Sequence, residues 1–291
     1  MGAMITALGH QWHPEHFACA GCGGVIEQQQ FYVHEQRPYH TSCYGRAVAP
    51  RCQYCGTPLV GSYLVDHWGK PFCARHNHEY PMCAFCGRLA RPDGRINAGT
   101  KGDRPRCAEC RAQAIHSATL ARHPFSAVIA WFSHRGLSLE QVEIPFELCD
   151  RSRLDAQLGS TGDGVHLGLT RTLSKRSAVS VETEVLGISI LSGLPVMLFQ
   201  GVAAHELGHA WLHSNGIIGL GKQEEEGFCE LLSFAFYVQA KGSDGPHYAT
   251  CIERNPDPVY GDGFRKVREI SGRHGFSRFL QLLRSSKRMP S

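Results

Sequence analysis

Pro195-Val196-Met197-Leu198-Phe199-Gln200-Gly201-Val202-Ala203-Ala204-His205-Glu206-Leu207-Gly208-His209-Ala210-Trp211-Leu212 reads as one buried helix. Pro195 suits its first turn and Gly216 is placed to end it. In a helix, residues four apart share one face, about 6 Å along the axis. His205 and His209 can therefore converge on one metal ion at bond lengths of about 2.0–2.1 Å. Glu206 then lies beside the metal, placed to take a proton from a bound water. This is the spacing of a zinc peptidase site.

A catalytic zinc usually has three protein ligands and an open position. His213 continues the stripe but lies about 12 Å along the axis from His205. It is expected at the surface or behind a ligand. The metzincin pattern needs Gly at 212 and His at 215, where this chain has Leu212 and Asn215. A second helix is expected from Glu224-Glu225-Glu226-Gly227-Phe228-Cys229-Glu230 into the apolar run Leu231 to Tyr237. Glu226 with Glu230 looks like the Glu-x-x-small-acid pattern of gluzincins. There the first Glu is the third ligand and the last acid supports the first His. Glu226 is the assignment, with Glu225 the competing one.

The 291 residues suffice for two domains, and 42% apolar against 19% charged residues makes a globular chain. The net charge of +4 is too mild to argue for nucleic acid. Met1-Gly2-Ala3-Met4 has no basic region followed by an apolar one, so no secretory leader is expected. It reads as an appended start, which places further natural sequence upstream. Residues 185–204 carry no charged side chain. They are broken by Gly187, Ser189, Ser192, Gly193, Pro195, Gln200 and Gly201, so a strand near 181–191, a turn at Gly193 and a buried helix are expected there, not a membrane span.

Ten of the thirteen cysteines lie before residue 111 in pairs of metal-ligand spacing. Cys19, Cys22, His40 and Cys43 form one set. Cys52, Cys55, Cys73 and His76 form a second, and Cys83, Cys86, Cys107 and Cys110 a third. Each supplies four N/S donors, enough to close a tetrahedral structural zinc site. Thiolate ligands need reducing conditions, so a cytoplasmic or nuclear setting is expected. Trp12-His13-Pro14-Glu15-His16 precedes Cys19 at the joint spacing of a LIM domain. His13 and His16 would close a first finger whose Cys pair is absent; as ligands or as exposed, metal-free histidines, both readings stand. The leftover Cys149, Cys229 and Cys251 read as small apolar residues, with Cys229 packed beneath the site.

The fold class expected is α+β: a zinc-stapled LIM-like region over 10–110, then a gluzincin-like peptidase domain over 111–291. Its elements are a helix at 111–134 broken near Pro124, strands at 143–149, 165–173 and 181–191, and late helices at 264–271 and 276–285. The strand ahead of the motif helix is expected to pair with an extended substrate. Tyr260-Gly261-Asp262-Gly263 is a turn by composition, though a Tyr260 hydroxyl near the metal would stabilise an oxyanion. His247, Tyr248 and His274 are weaker candidates.

The chain resembles the LIM-containing, ubiquitin-activated zinc peptidases that limit organ size in plants. The matching stretches are Trp12-His13-Pro14, the Cys/His series, Leu191 to Pro195, Ala204 to Trp211, Glu225 to Cys229 and Pro258 to Arg265. The resemblance implies an endopeptidase that cuts selected proteins, ubiquitin-pathway components among them, and is switched on by ubiquitination. The motif and the three Cys/His sets imply one catalytic and three structural zinc ions. Expected partners are protein substrates, with neither nucleic acid nor membrane. The rival readings are a latent LIM-type interaction scaffold and, last, a zinc-dependent nucleic-acid binder. Residues 10–110 show no Arg/Lys stripe with interleaved aromatics to support the latter.

Overall fold

A computed structural model describes residues 4–91, 104–139, 144–159, 166–176 and 181–291. The start at 1–3, residue 143 of the first expected strand and residue 165 of the second lie outside the described residues. The chain divides into two compact units. One comprises residues 1–81 and 88–93; the other comprises 82–87 and 94–291.

The first unit is built from two-stranded ribbons with little apolar packing. Strands β1 (Ile5–Ala7) and β2 (His10–Trp12) pair, as do β3 (Tyr32–His34) and β4 (Arg37–Tyr39), followed by helix α1 (Thr41–Ala47). Strands β5 (Leu64–Val65) and β6 (Pro71–Phe72) form the next ribbon before the single turn α2 (His76–Glu79). Its two small cores contain Phe17, Ile26 and Tyr39 with Cys19 and Cys43, then Leu59, Phe72 and Leu89 with Cys52. So little buried apolar area cannot outweigh chain entropy without a cross-link.

The second unit begins with Cys83 to Cys86 and, after the undescribed stretch, α3 (Ala108–Ala112). The third cysteine set therefore belongs with this unit and not with the LIM-like region, which differs from the boundary expected at 110. Strand β7 (Ala114–Ile115) then leads to α4 (Ala118–His134), capped by the Ser117 hydroxyl. The single helix expected at 111–134 is thus two helices with a strand between. Pro124 does not break α4; Leu120, whose carbonyl it cannot bond, is exposed and solvated.

Strand β8 (Phe146–Cys149) is followed by α5 (Arg151–Leu158), capped by Asp150 and closed by left-handed Gly159. Strands β9 (Gly168–Arg176) and β10 (Val181–Leu191) complete a sheet of order β8-β10-β9. β10 runs parallel to β8 and antiparallel to β9. β10, just ahead of the motif helix, is therefore central, and both its edges are paired. The expectation that it receives substrate is corrected: among the described residues the edge strand beside the motif helix is β9.

Strand β11 (Leu194–Pro195) pairs with β7 and turns the chain into α6 (Val196–Ser214), the motif helix. Pro195 is its N-cap, one residue earlier than expected, and left-handed Gly216 follows its end. Helices α7 (Lys222–Gln239), α8 (Asp244–Glu253), α9 (Tyr260–His274) and α10 (Phe276–Ser286) follow. Trp211, Phe199, Leu207, Phe228, Phe264 and Phe279 are fully buried among them in one core. Helix α8 was not anticipated. Tyr260 to Gly263 open α9 and are not a turn. No described helix is long and apolar enough to cross a membrane.

Candidate metal centre and cleft

Helix α6 presents His205 and His209 on one face, and α7 crosses it there. The crossing is close because α6 carries Gly201 and Gly208 on either side of His205. A Cβ on Gly201 would run into the Tyr237 ring, and one on Gly208 would lie 3.0 Å from Cys229 Sγ. With α7 this near, its carboxylates reach both imidazoles. Glu226 Oε2 lies 3.1 Å from His205 Nε2 and 3.5 Å from His209 Nε2. The opposite ring nitrogens are held too: His205 Nδ1 is 3.1 Å from Glu230 Oε1, and His209 Nδ1 is 2.9 Å from Glu225 Oε1.

The two separations to Glu226 match the edge of a metal's donor tetrahedron. Tetrahedral donors at about 2.05 Å from an ion are about 3.3 Å apart. Cys229 Sγ also lies within 4.8 Å of the two imidazoles, as a fully buried thiol whose pKa burial pushes up. We favour Glu226 because its oxygen meets both Nε2 atoms at tetrahedral edge length. Glu225 instead sits behind His209, with His213 Nε2 3.8 Å beyond it. Burial by itself would lower the His205 pKa. The Glu226 and Glu230 carboxylates outweigh it and hold the imidazole well above its ordinary value.

Glu206 packs against β9 and is buried. The Thr170 hydroxyl lies 2.8 Å from both its backbone oxygen and its Oε2. Gly168, also on β9, leaves the space: a Cβ there would be 2.7 Å from Glu206 Oε1. Tyr260 faces the site with its ring centroid 6.3 Å from that of His205. Its N–H donates to Asp257 Oδ1. Burial, then the nearby Glu226 charge, pushes the Tyr260 pKa up, so the hydroxyl stays protonated. His166 stands 6.5 Å from Tyr260 across the same cavity of about 440 Å³.

Thr170, Gly168 and His166 were not anticipated, since no spacing in the sequence links them to α6. Tyr248 lines the cavity, while His274 lies away from it, 3.0 Å from the Ser291 backbone oxygen. His247 Nε2 is 3.7 Å from Cys251 Sγ.

The three cysteine sets also gather. In each, the ligand atoms lie within 4.8 Å of one another. Cys55 and Cys73 sulfurs are 3.7 Å apart and those of Cys86 and Cys107 3.5 Å, close to the roughly 3.8 Å edge of a zinc–thiolate tetrahedron. His76 Nδ1 is taken by Glu79 at 2.6 Å, and its buried Nε2 has no hydrogen-bond partner among the described residues, as a ligand nitrogen requires. His13 is exposed, its ring 5.7 Å from that of His16, and neither belongs to a four-donor group among the described residues.

Residues 2–48 match the LIM domain family, and residues 132–245 match the family described as DA1-like: Protein DA1. The chain joins a LIM domain to a DA1-like domain. The DA1-like match takes in α6 and α7, hence His205, Glu206, His209 and Glu226, and stops short of Tyr260. Similar proteins include Protein DA1 of Arabidopsis thaliana, 26% identical over 99% of this chain and 66% of its own length. Protein DA1-related 1 of the same plant is 27% identical over 99% of this chain and 64% of its own. LIM domain-containing protein HDR3 of Oryza sativa subsp. japonica is 24% identical over 99% and 72%. The chain thus spans about two thirds of the length of these relatives.

Proposed function

We propose that the DA1-like domain is a zinc-dependent endopeptidase of gluzincin type. The observation that carries this reading is Glu226 Oε2 lying 3.1 Å from His205 Nε2 and 3.5 Å from His209 Nε2, with Glu206 lining the same cavity as His205. A zinc ion held by these three donors would polarise a scissile carbonyl and make water acidic enough to attack it near neutral pH. Glu206 accepts the proton of the attacking water and delivers it to the leaving amine. Thr170 fixes the carboxylate for both transfers. Tyr260, kept protonated, donates a hydrogen bond to the developing oxyanion.

Among the described residues the cavity lining carries no Lys or Arg side chain to partner a terminal carboxylate. This supports cleavage within chains rather than at a C-terminus. The edge of β9 beside the cleft supports an extended substrate adding as a further strand. The LIM region is proposed to recruit substrates or regulate access. Protein substrates in a reducing, cytoplasmic compartment accord with ten cysteines gathered in thiolate donor sets. Switching by ubiquitin rests on the resemblance alone.

The test is cleavage of candidate proteins by zinc-loaded chain and by Glu206→Gln, with zinc counted by mass spectrometry. We expect four zinc ions in both and a loss of cleavage of roughly 10²–10⁴-fold in the variant. A count of three, with the α6 site empty, would sink the reading. Four ions and no cleavage by either protein would favour a metal-stapled interaction scaffold.

A further inference from the structure

We infer that Phe85, presented by the Cys83–Cys86 knuckle, determines specificity by walling an apolar pocket beside the metal centre that takes a large apolar side chain of the substrate. The inference rests on the peptidase reading and adds its substrate preference.

The knuckle is part of the second unit. Ala84 N–H donates to Pro105 O at 2.8 Å. The Arg106 guanidinium lies 4.9 Å from the Phe85 ring centroid and donates to Gly193 O at 3.4 Å, just ahead of α6. Phe85 itself packs against the main core and lines the cleft. A loop between two cysteine ligands takes its shape from the metal they hold, so the wall is fixed by the third cysteine set.

The pocket runs along α6. Leu198, Val202 and His205 follow one another along the cavity at helical spacing, about 10 Å from first to last. Tyr237 of α7 and Tyr248 of α8, stacked with centroids 5.3 Å apart, line it with Phe85. Three rings and two aliphatic side chains offer contact to a bulky apolar group. Three carboxylates of the lining, Glu206, Glu230 and Asp257, repel an acidic side chain.

The test uses the full chain, zinc-loaded, in the non-cleaving Glu206→Gln form. Fluorescent alanine-rich peptides blocked at both ends carry Gly, Ala, Leu, Phe or Asp at one position, and binding is read by anisotropy. Leu and Phe peptides are expected to bind about tenfold or more tighter than Gly, and Asp the weakest. Phe85→Ala should erase the preference, Phe85→Leu keep it and Phe85→Trp move it towards Ala. If Phe85→Ala loses zinc or fold, the Leu and Trp variants decide. A ranking untouched by Phe85, or no ranking, overturns the proposal. The active parent separates the two readings. Cleavage indifferent to the varied residue leaves the peptidase and removes the pocket. A binding ranking without any cleavage leaves the pocket and removes the peptidase.

Discussion

Glu225 and Glu230 grip the rear nitrogens of His209 and His205 at 2.9 and 3.1 Å, leaving both Nε2 atoms facing Glu226. A carboxylate there fixes tautomer and ring orientation and raises ligand basicity. Glu225→Gln and Glu230→Gln are each expected to weaken zinc at this site by ~10–100-fold, measured against a chromophoric chelator. Glu226→Ala should abolish it and Cys229→Ala should spare it; the reverse pattern would make the thiol the third ligand. Zinc must displace protons from imidazoles whose pKa values stand above the ordinary histidine range. Affinity is therefore expected to climb with pH, from about pH 6 until the raised values are passed. The linked stability of the metal-free pairs runs the other way: complete below the ordinary histidine pKa, lost as pH rises through the raised one.

At the scale of elements, glycines decide how near the helices come. A Cβ on Gly227 of α7 would overlap the Gly263 backbone of α9, and one on Gly263 would overlap the Gln223 carbonyl. These contacts bring the first residue of α9, Tyr260, to the candidate metal centre. Gly263→Ala is expected to cost at least about 1–3 kcal/mol by overpacking. Thermal unfolding of the second unit should fall by several degrees, with Tyr260 displaced. Gly272 lies on the same helix with nothing within 4 Å of its Cβ position. Gly272→Ala should stabilise by roughly 0.5–1 kcal/mol. Equal effects at the two positions would refute the close-crossing account. Composition alone reads Tyr260 to Gly263 as a turn, because isolated propensity cannot register that a glycine makes room for another helix.

For the whole molecule, the metal dependence of the two units differs. The first unit has few large buried side chains beyond its cysteines, whereas the second buries Trp211, Phe132, Phe199, Phe228, Phe264 and Phe279. Strong chelation should abolish amide protection across 4–91 and loosen 104–115, while α6 and α7 stay protected by apolar burial. Hydrogen exchange read by mass spectrometry checks this. Loss of protection in α6 and α7 together with the fingers would show that the second core also depends on metal.

The sequence by itself determined which candidate metal donors gather. His205 with His209, and the paired cysteines, are set by spacing within one helix turn or one loop, and such geometry is local. The strand β10, the motif helix and the helix after it were legible for the same reason, from apolar runs punctuated by turn residues. Only the tertiary structure decided which carboxylate of Glu225 and Glu226 lies between the two Nε2 atoms. Adjacent helical residues point about 100° apart, and only the crossing of α7 over α6 chooses between them. It also decided that β9 and not β10 is the edge beside the cleft, and that the third cysteine set joins the second unit. Strand order and helix crossings arise from burial between segments far apart in the chain, and no short window of sequence contains them.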